Sequence, residues 1–539
     1  MSMRSISSGC WSRNDNWLDM TLFFEFLQVA MGNRKSLSCD IKDADWQRLF
    51  EFCKRQALIG VGFTAVEKLH AVGVVCPTAI RMKWMALALQ IERQNEKITK
   101  QCRELTKKYE HDGLQCCILK GQGNLLNYPE EIRMRRMPGD IDVWCIPLKE
   151  GLDIAVATGN KDVEYVNYRG VNAVIEYARM QFRLCGIDKQ PSAIYHHIDA
   201  PSIDGTEVEI HYKPSFCRSL IRNFRMQKWF AEHAYECSKN TCLYGFPVPT
   251  SSVNVVYQMC HLFNHYFHEG IGLRQLMDYY YTLRVWHNDL EEKKDLESRG
   301  MLIEGVGTAG MSKEEVMAVL RSFGMTKFAG AVMWVLNEVF GGGNDNDNEN
   351  EKCPRRTRRD TDGGPQADGG GERKLKRINR ELKEMGPQAD CFGERQLENE
   401  KCPRRTRRGM DGGPQADFVG ERELKRINRE LKEMGPQADD GGERKLKQIN
   451  RELKENNFEP WMICEPNEKE GRKLLEEIMK GGNFGQYDTR DVALKKGGMV
   501  KHGVWKLKRV MRLVRSYPEE ALWEPVFRVW HLGWRKVNG

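Results

Sequence analysis

Asp140 and Asp142 stand two residues apart in "GDIDVWC", Gly139 to Cys145. Ile141, Val143 and Cys145 alternate with Asp140, Asp142 and Trp144, which is the period of a β-strand. Aspartate is among the residues least at home in a strand. One explanation is a surface strand showing its acids to water. The other is chemical. Residues i and i+2 point the same way, about 6.5–7 Å apart at Cα. Two carboxylates so placed repel, and each makes the other harder to ionise. A divalent cation reverses that cost, and Mg²⁺ takes one or two carboxylates together with phosphate oxygens and water.

A further carboxylate comes from "AIYHHIDAPSIDGTEVEIHYKPS", which reads as a hairpin turning at Asp204-Gly205. In its second arm Glu207, Glu209 and His211 share one face, and Val208, Ile210 and Tyr212 the other. Glu209 is the expected metal-site member, because it sits mid-strand while Glu207 lies near the turn. His211 is placed to orient it. Upstream, Pro77 opens a long helical pattern that runs to Gly113. "LQCCILKG" follows as a buried strand, and "GQGNLLNY" as a turn into a short helix. Such a Gly turn presents backbone N–H groups to an anion. Lys120, Arg133, Arg135 and Arg136 add positive charge nearby. Strand, turn, helix and acid-bearing strand thus bring a phosphate site beside a metal site.

Downstream, "HLFNHYFHEGIGLRQLMDYYYTL" reads as one helix. His261, His265 and His268 fall at i, i+4 and i+7, a spacing able to bind zinc. The order is not H-E-x-x-H, and Phe263, Tyr266 and Phe267 crowd the same turns. Two roles stay open for His261, Arg274 and Asp278: lining the substrate side of a cleft, or packing. Arg274 and Asp278 also form a helical i,i+4 pair, a surface or core salt bridge.

These elements sit in a chain of 539 residues that is 40% hydrophobic, enough for two or three domains. Apolar runs are too short to span a membrane, and the N-terminus lacks the apolar stretch of a signal peptide. The 17 cysteines are scattered without a C-x-x-C pair, which suits reduced thiols in a cytoplasm. Net charge is +8, but 27 Lys and Arg against 22 Asp and Glu fall between residues 351 and 455. That leaves a net of +3 elsewhere and no footprint for a nucleic acid.

The basic segment is a tandem repeat. "NEKCPRRTRR" starts at Asn350 and again at Asn399. "GPQAD" starts at Gly364, Gly386, Gly413 and Gly435, and "ERKLKRINRELKEM" at Glu372 returns in altered form at Glu421 and Glu443. Leu375, Ile378, Leu382 and Met385 could line one face of a short helix. A partner-binding array is one reading. The favoured one is a recently duplicated, mostly disordered insertion, because the copies are nearly identical and offer no aromatic core. Ordinary helical sequence flanks it on both sides.

"LKGQGN", "RMPGDIDVW" and "VEIHYKPS", with the later histidine-rich segment, resemble the uncharacterised bacterial nucleotidyltransferase family of the DNA polymerase β-like superfamily. The resemblance covers roughly 20–340 and resumes after the repeats. It implies an α+β fold: a small mixed β-sheet nucleotidyltransferase core with α-helical segments before and after it, plus the low-complexity repeat insertion. The expected parts are a helical region over 1–112, the core over 113–245, a helical region over 246–340, the insertion over 341–456 and a helical continuation over 457–539. The implied activity is Mg²⁺- or Mn²⁺-dependent transfer of a nucleoside monophosphate from a nucleoside triphosphate to an unknown hydroxyl acceptor, a small molecule or a protein. Asp140 and Asp142 match the metal pair, Glu209 the third carboxylate, and Gly121 and Gly123 the triphosphate turn, with Lys120 and Arg136 beside it. Gly121 to Asp140 spans 19 positions, longer than the superfamily's usual interval, and Gln122 replaces a small residue. The rival reading is a non-catalytic nucleotide-binding or interaction protein with the repeats as its binding arm.

Overall fold

The computed structural model describes residues 14–157, 163–298, 310–341, 459–490 and 498–538. The repeats lie outside them, and so does the reading of 341–456 as disordered.

The helical pattern opened by Pro77 is α4, Thr78–His111, after three shorter helices: α1 (Asn14–Met31), α2 (Asp43–Arg55) and α3 (Ile59–Ala71). Trp84, Leu87, Ala88, Ile91, Ile98, Cys102, Leu105 and Tyr109 recur at helical spacing and bury one stripe of α4. The chain turns at Gly113 with φ +92°, a conformation open to glycine, and enters β1, Leu114–Ile118. A 3₁₀ turn over Gly121–Asn127 and α5 (Glu130–Arg133) lead to β2, Ile141–Pro147. A separate two-stranded ribbon, β3 (Leu152–Ala157) and β4 (Val163–Tyr168), precedes α6, Gly170–Leu184. The hairpin β5 (His197–Ile203) and β6 (Thr206–His211) completes the main sheet.

The sheet order is β1-β2-β6-β5. β1 runs antiparallel to β2, β2 parallel to β6, and β6 antiparallel to β5, so the sheet is mixed. Its apolar face is the one the alternation assigns: Ile141, Val143, Val208, Ile210 and Ile198 pack with α4 and with Ala173, Val174, Tyr177 and Ala178 of α6. On the opposite face Trp144 meets Phe230 edge-on at 6.1 Å, which seats α7 (Leu220–Lys239). The acids open on that side beyond Trp144.

The segment read as a single helix is two, α8 (Ser251–His268) and α9 (Leu273–Ser298). The break lies at Gly270, φ +115°. It is occupied by chain from beyond the repeats. A Cβ on Gly485 would collide with the Glu269 carbonyl, and one on Gly272 would lie 2.8 Å from Asn483 Cα. Arg509 donates to the carbonyls of Phe267 (3.0 Å) and Tyr266 (2.5 Å), satisfying the end of α8.

Chain on both sides of the repeats joins in one folded unit. After α10 (Lys313–Ser322), α11 (Thr326–Phe340) packs on α12 (Glu468–Gly481), where a Cβ on Gly471 would meet Trp334 at 2.5 Å. Gln56, 1% exposed, donates to the Ile478 carbonyl (3.2 Å) and accepts from the Leu273 N–H (2.9 Å). Two last helices, α13 (Met499–Leu513) and α14 (Pro518–Asn538), follow. Arg218, 1% exposed, pairs there with Glu520 and Glu524. Among the described residues no helix is long and apolar enough to cross a membrane.

Phe340 and Trp461 both pack on the ring of Tyr280, at 5.6 and 5.2 Å between centroids. The two ends of the insertion therefore meet at one side chain. Replacing residues 342–458 by eight Gly/Ser residues should leave a monodisperse, folded protein. Its thermal midpoint should lie within about 5 °C of the full chain, since ~1 kcal/mol moves a domain of this size by only a few degrees. An aggregated product in size-exclusion chromatography, or loss of the cooperative melt, would show that the repeats belong to the core.

Candidate active site

Three strands set the acids. Asp140 precedes β2 and Asp142 lies within it. The parallel register pairs Asp142 directly with Glu209 on β6. The Leu119 N–H donates to the Asp142 carbonyl at 3.0 Å, which holds the end of β1 and brings Lys120 over the acids. On the far side, β5 pairs His197 with His211 and Asp199 with Glu209.

That last pairing depends on an irregularity. At the turn Ile203 faces Thr206, which counted regularly would set His197 opposite Tyr212 on the apolar face. The register shifts by one residue between Ala200 and Ile203. Pro201, which has no N–H to give the ladder, lies in the shifted stretch. Beyond it His197 and Asp199 face the acids, while Ile198 and Ala200 enter the core.

Asp142 is buried, with its side chain fully shielded. Its Oδ1 accepts from His211 Nε2 at 2.9 Å and lies 3.1 Å from Lys120 Nζ. Its Oδ2 has no partner among the described residues. Lys120 Nζ also reaches Asp140 Oδ2 at 3.6 Å. Glu209 Oε2 lies 3.3 Å from His211 Nε2 and 3.4 Å from His197 Nδ1. Burial works against the charges of Lys120, His211 and Glu209, and the opposite charges overrule it. Burial opposes the Lys120 ammonium, yet Asp140, Asp142 and Glu209 hold its pKa above the ordinary value. Burial likewise opposes a charged His211, but its hydrogen bonds to Asp142 and Glu209 push it up to about 9. Burial alone would raise Glu209; the His211 hydrogen bond and the Lys120 charge bring it down to about 2. His197 goes the other way, pushed down to about 4 by burial and by His211. A buried carboxylate oxygen with an open coordination position suits a cation. Asp142, Glu209 and His211 offer ligand atoms within 4.8 Å of one another.

Beside Asp140 a narrow cleft of about 430 Å³, counting its open mouth, is lined by Lys120, Gly121, Asn124, His261, Arg274 and Gln275 among others. Three of its buried donors have no partner among the described residues: Arg274 Nε, Gln275 Nε2 and Asn124 Nδ2. Arg274 Nη1 donates to the Met137 carbonyl at 3.2 Å. Burial and the Arg136 charge lower the Arg274 pKa. A desolvated guanidinium with an idle N–H beside two unpaired amide donors is a setting for an oxyanion. Phe484 lies in the lining, 5.5 Å from Arg274 Cζ and in a left-handed conformation, φ +50°.

The cleft brings Asp140, Lys120, Gly121, His261 and Arg274 together. Arg136 and Asp278 also border it but are engaged with each other: Nε to Oδ1 at 2.6 Å and Nη2 to Oδ2 at 2.7 Å, with the Tyr128 hydroxyl donating to Oδ1 at 2.6 Å. The i,i+4 ion pair expected between Arg274 and Asp278 is thereby replaced by a longer-range one. Gly123 faces the strand, since a Cβ there would lie 2.5 Å from the Ile118 carbonyl. Gln122 is an anchor, donating to Asn95 and to Thr99 Oγ1 at 3.2 Å. His261 and His265 contact each other edge-on at 4.3 Å, and His265 meets the Phe484 ring at a tilt, 5.0 Å between centroids. Among the described residues, the clusters with metal-ligand spacing do not include the His261, His265, His268 set. Sequence reasoning missed His196 and His197, whose "HH" was visible but whose facing depends on the shifted register. It also missed Asn124, Gln275 and Phe484.

Two measurements test these electrostatics. His211 carries a pKa raised from about 6.5 to about 9. Its stabilisation is thus complete below pH 6.5 and is lost as pH rises through 9. In chelator, urea unfolding of the wild type should weaken over that window by a few kcal/mol at most, and His211→Gln should flatten the profile. Asp278→Ala leaves Arg136 buried and unpaired, and should cost about 3–5 kcal/mol, read as a fall in the urea midpoint.

Residues 42–300 match the model of a family described as uncharacterised nucleotidyltransferase, and this part of the chain supports a nucleotidyl-transfer role. No curated protein and no solved structure matches the chain.

Proposed function

We propose that this nucleotidyltransferase-family chain is a divalent-metal-dependent enzyme that moves a nucleoside monophosphate from a nucleoside triphosphate to a hydroxyl acceptor. The observation that carries the reading is the buried Asp142. One of its carboxylate oxygens is held by His211 and Lys120, and the other has no partner among the described residues, directly across the parallel register from Glu209.

Asp140, Asp142 and Glu209 are the residues that would hold the ion. When bound, a divalent cation neutralises phosphate charge and favours the deprotonated form of an attacking hydroxyl. The chain's own groups do the rest. Arg274, Asn124 and Gln275 offer unpaired donors to phosphate oxygens, and Gly121 lets the backbone approach them. Lys120 stands between the two aspartates and the cleft, where its ammonium can follow the negative charge as it moves onto the leaving group. In the reaction the acceptor oxygen bonds to the α-phosphorus, the bond from that phosphorus to the bridging oxygen of pyrophosphate breaks, and the proton of the acceptor hydroxyl passes to solvent water. Glu209, held as an anion, is suited to charge stabilisation more than to proton uptake.

A second reading has its own observation. Lys120 already lies within 3.1 and 3.6 Å of Asp142 and Asp140, as a cation would. On that reading the chain binds nucleotide without catalysis and without metal.

Calorimetric titration of nucleoside triphosphates with and without Mg²⁺ or Mn²⁺, alongside a pyrophosphate-release screen, separates the two. The enzyme reading expects metal-dependent binding, lost in Asp142→Asn while the thermal melt is retained. Glu209→Gln should cost about 10²-fold or more in turnover, on the scale of a positioned catalytic group. Glu207→Gln should cost little. Arg274→Met should raise the nucleotide KM about 10- to 100-fold, the value of a charged hydrogen bond. Metal-independent binding abolished by Lys120→Met would favour the second reading.

A further inference from the structure

The edge of the sheet away from the cleft carries a group of ligands with a different chemistry. His196, His197 and His211 each offer an atom within 4.8 Å of the others. Their rings form a triangle, with centroids 4.5 Å apart for His196 and His197, 5.1 Å for His197 and His211, and 5.6 Å for His196 and His211. His196 Nε2 and His197 Nδ1 approach to 3.1 Å. Consecutive residues of a regular strand would point to opposite faces. His196 escapes this because it precedes β5, in a turn closed by the Ile194 N–H on the His197 carbonyl at 3.0 Å. The shifted register of β5 then brings His197 to the same side. Two local departures from regular geometry thus converge three imidazoles.

Outside the triangle His196 tilts against the Phe216 ring, 5.0 Å between centroids. His211 is 4% exposed, and its Nδ1 has no partner among the described residues. Glu209 Oε2, within 3.4 Å of both His197 and His211, adds an oxygen donor.

We propose that His196, His197 and His211, with Glu209, form a second metal position, selective for a nitrogen-preferring divalent ion of the zinc class. It lies beside the carboxylate pair Asp140–Asp142 but does not include it. Donor type distinguishes the two: three imidazoles and one carboxylate suit Zn²⁺, Co²⁺ or Ni²⁺, and carboxylates with phosphate and water suit Mg²⁺. Glu209 stands between them.

The test uses the full chain, stripped with chelator and titrated with Co²⁺ and Zn²⁺ in the presence of millimolar Mg²⁺. The expected result is one equivalent bound, with X-ray absorption of the zinc-loaded wild type showing imidazole ligation. His196→Gln and His197→Gln should each weaken binding by at least the ~10–100-fold that loss of a mere outer partner costs. Asp140→Asn should leave Co²⁺ affinity unchanged while removing Mg²⁺-dependent nucleotide binding, so failure of this site and failure of the nucleotide reading are told apart. Absence of stoichiometric Co²⁺ or Zn²⁺ binding overturns the proposal. So does absorption without imidazole ligands, a measurement on the wild type that needs no variant to fold. Affinity unchanged in folded His196→Gln and His197→Gln overturns it as well.

Discussion

The site rests on a carboxylate placed where a carboxylate is expensive. Asp142 is fully shielded in one of the two central strands of a four-stranded sheet, and an isolated charge there would be intolerable. Its neighbours are arranged around that fact. The end of β1 is tied to the Asp142 backbone, which delivers Lys120; β6 runs parallel to β2, which delivers Glu209; and His211, two residues further along β6, donates to Asp142 and lies 3.3 Å from Glu209. The raised pKa of His211 and the lowered pKa of Glu209 are two views of one balance. That balance is struck with the protein's own cations: Lys120 and His211 hold Oδ1 of Asp142, and Oδ2 has no partner among the described residues.

Much of this was legible in the order of residues. The alternation in "GDIDVWC" gave the face of β2, the Asp204-Gly205 turn gave the hairpin, and the apolar spacing after Pro77 gave α4. Each is a local signal, with period and turn chemistry contained within a few residues. What stayed hidden was set by contacts distant in sequence. "HEGIG" lies inside an apolar pattern that continues on both sides, so it read as helix; the chain breaks at Gly270, φ +115°, and Gly485, more than two hundred residues on, packs into the break. Arg274 and Asp278 have ideal helical spacing, but Arg136 presents a better fork to Asp278 from another element. The facing of His197 turns on one extra residue near Pro201, and a strand's period of two makes such a slip invisible to counting from the turn.

The family match ends at residue 300, yet the cleft does not. Phe484 lies against Arg274 from a turn that follows α12, and Arg509 on α13 closes the end of α8. The helices beyond the repeats thus have two roles. They bury the apolar surface of α11, and they bring a side chain to the region of the unpaired donors. The aromatic contacts of Tyr195 with Phe527 and Trp530 extend the same support to the turn that holds His196.

That arrangement has a consequence for how the molecule is made. A ribosome completes the sheet, the acids and α9 before it reaches the repeats. At ~5–20 residues per second, translation of residues 342–458 takes on the order of ten seconds. For that interval the break after α8 has no Gly485 to fill it, and Arg274 has no aromatic neighbour from the later turn. Messages interrupted within the repeats would yield chains with a complete set of carboxylates under an unroofed cleft. Such products would carry the α8–α9 junction, with Gly270 and Gly272, uncovered by the turn that packs on it in the full chain.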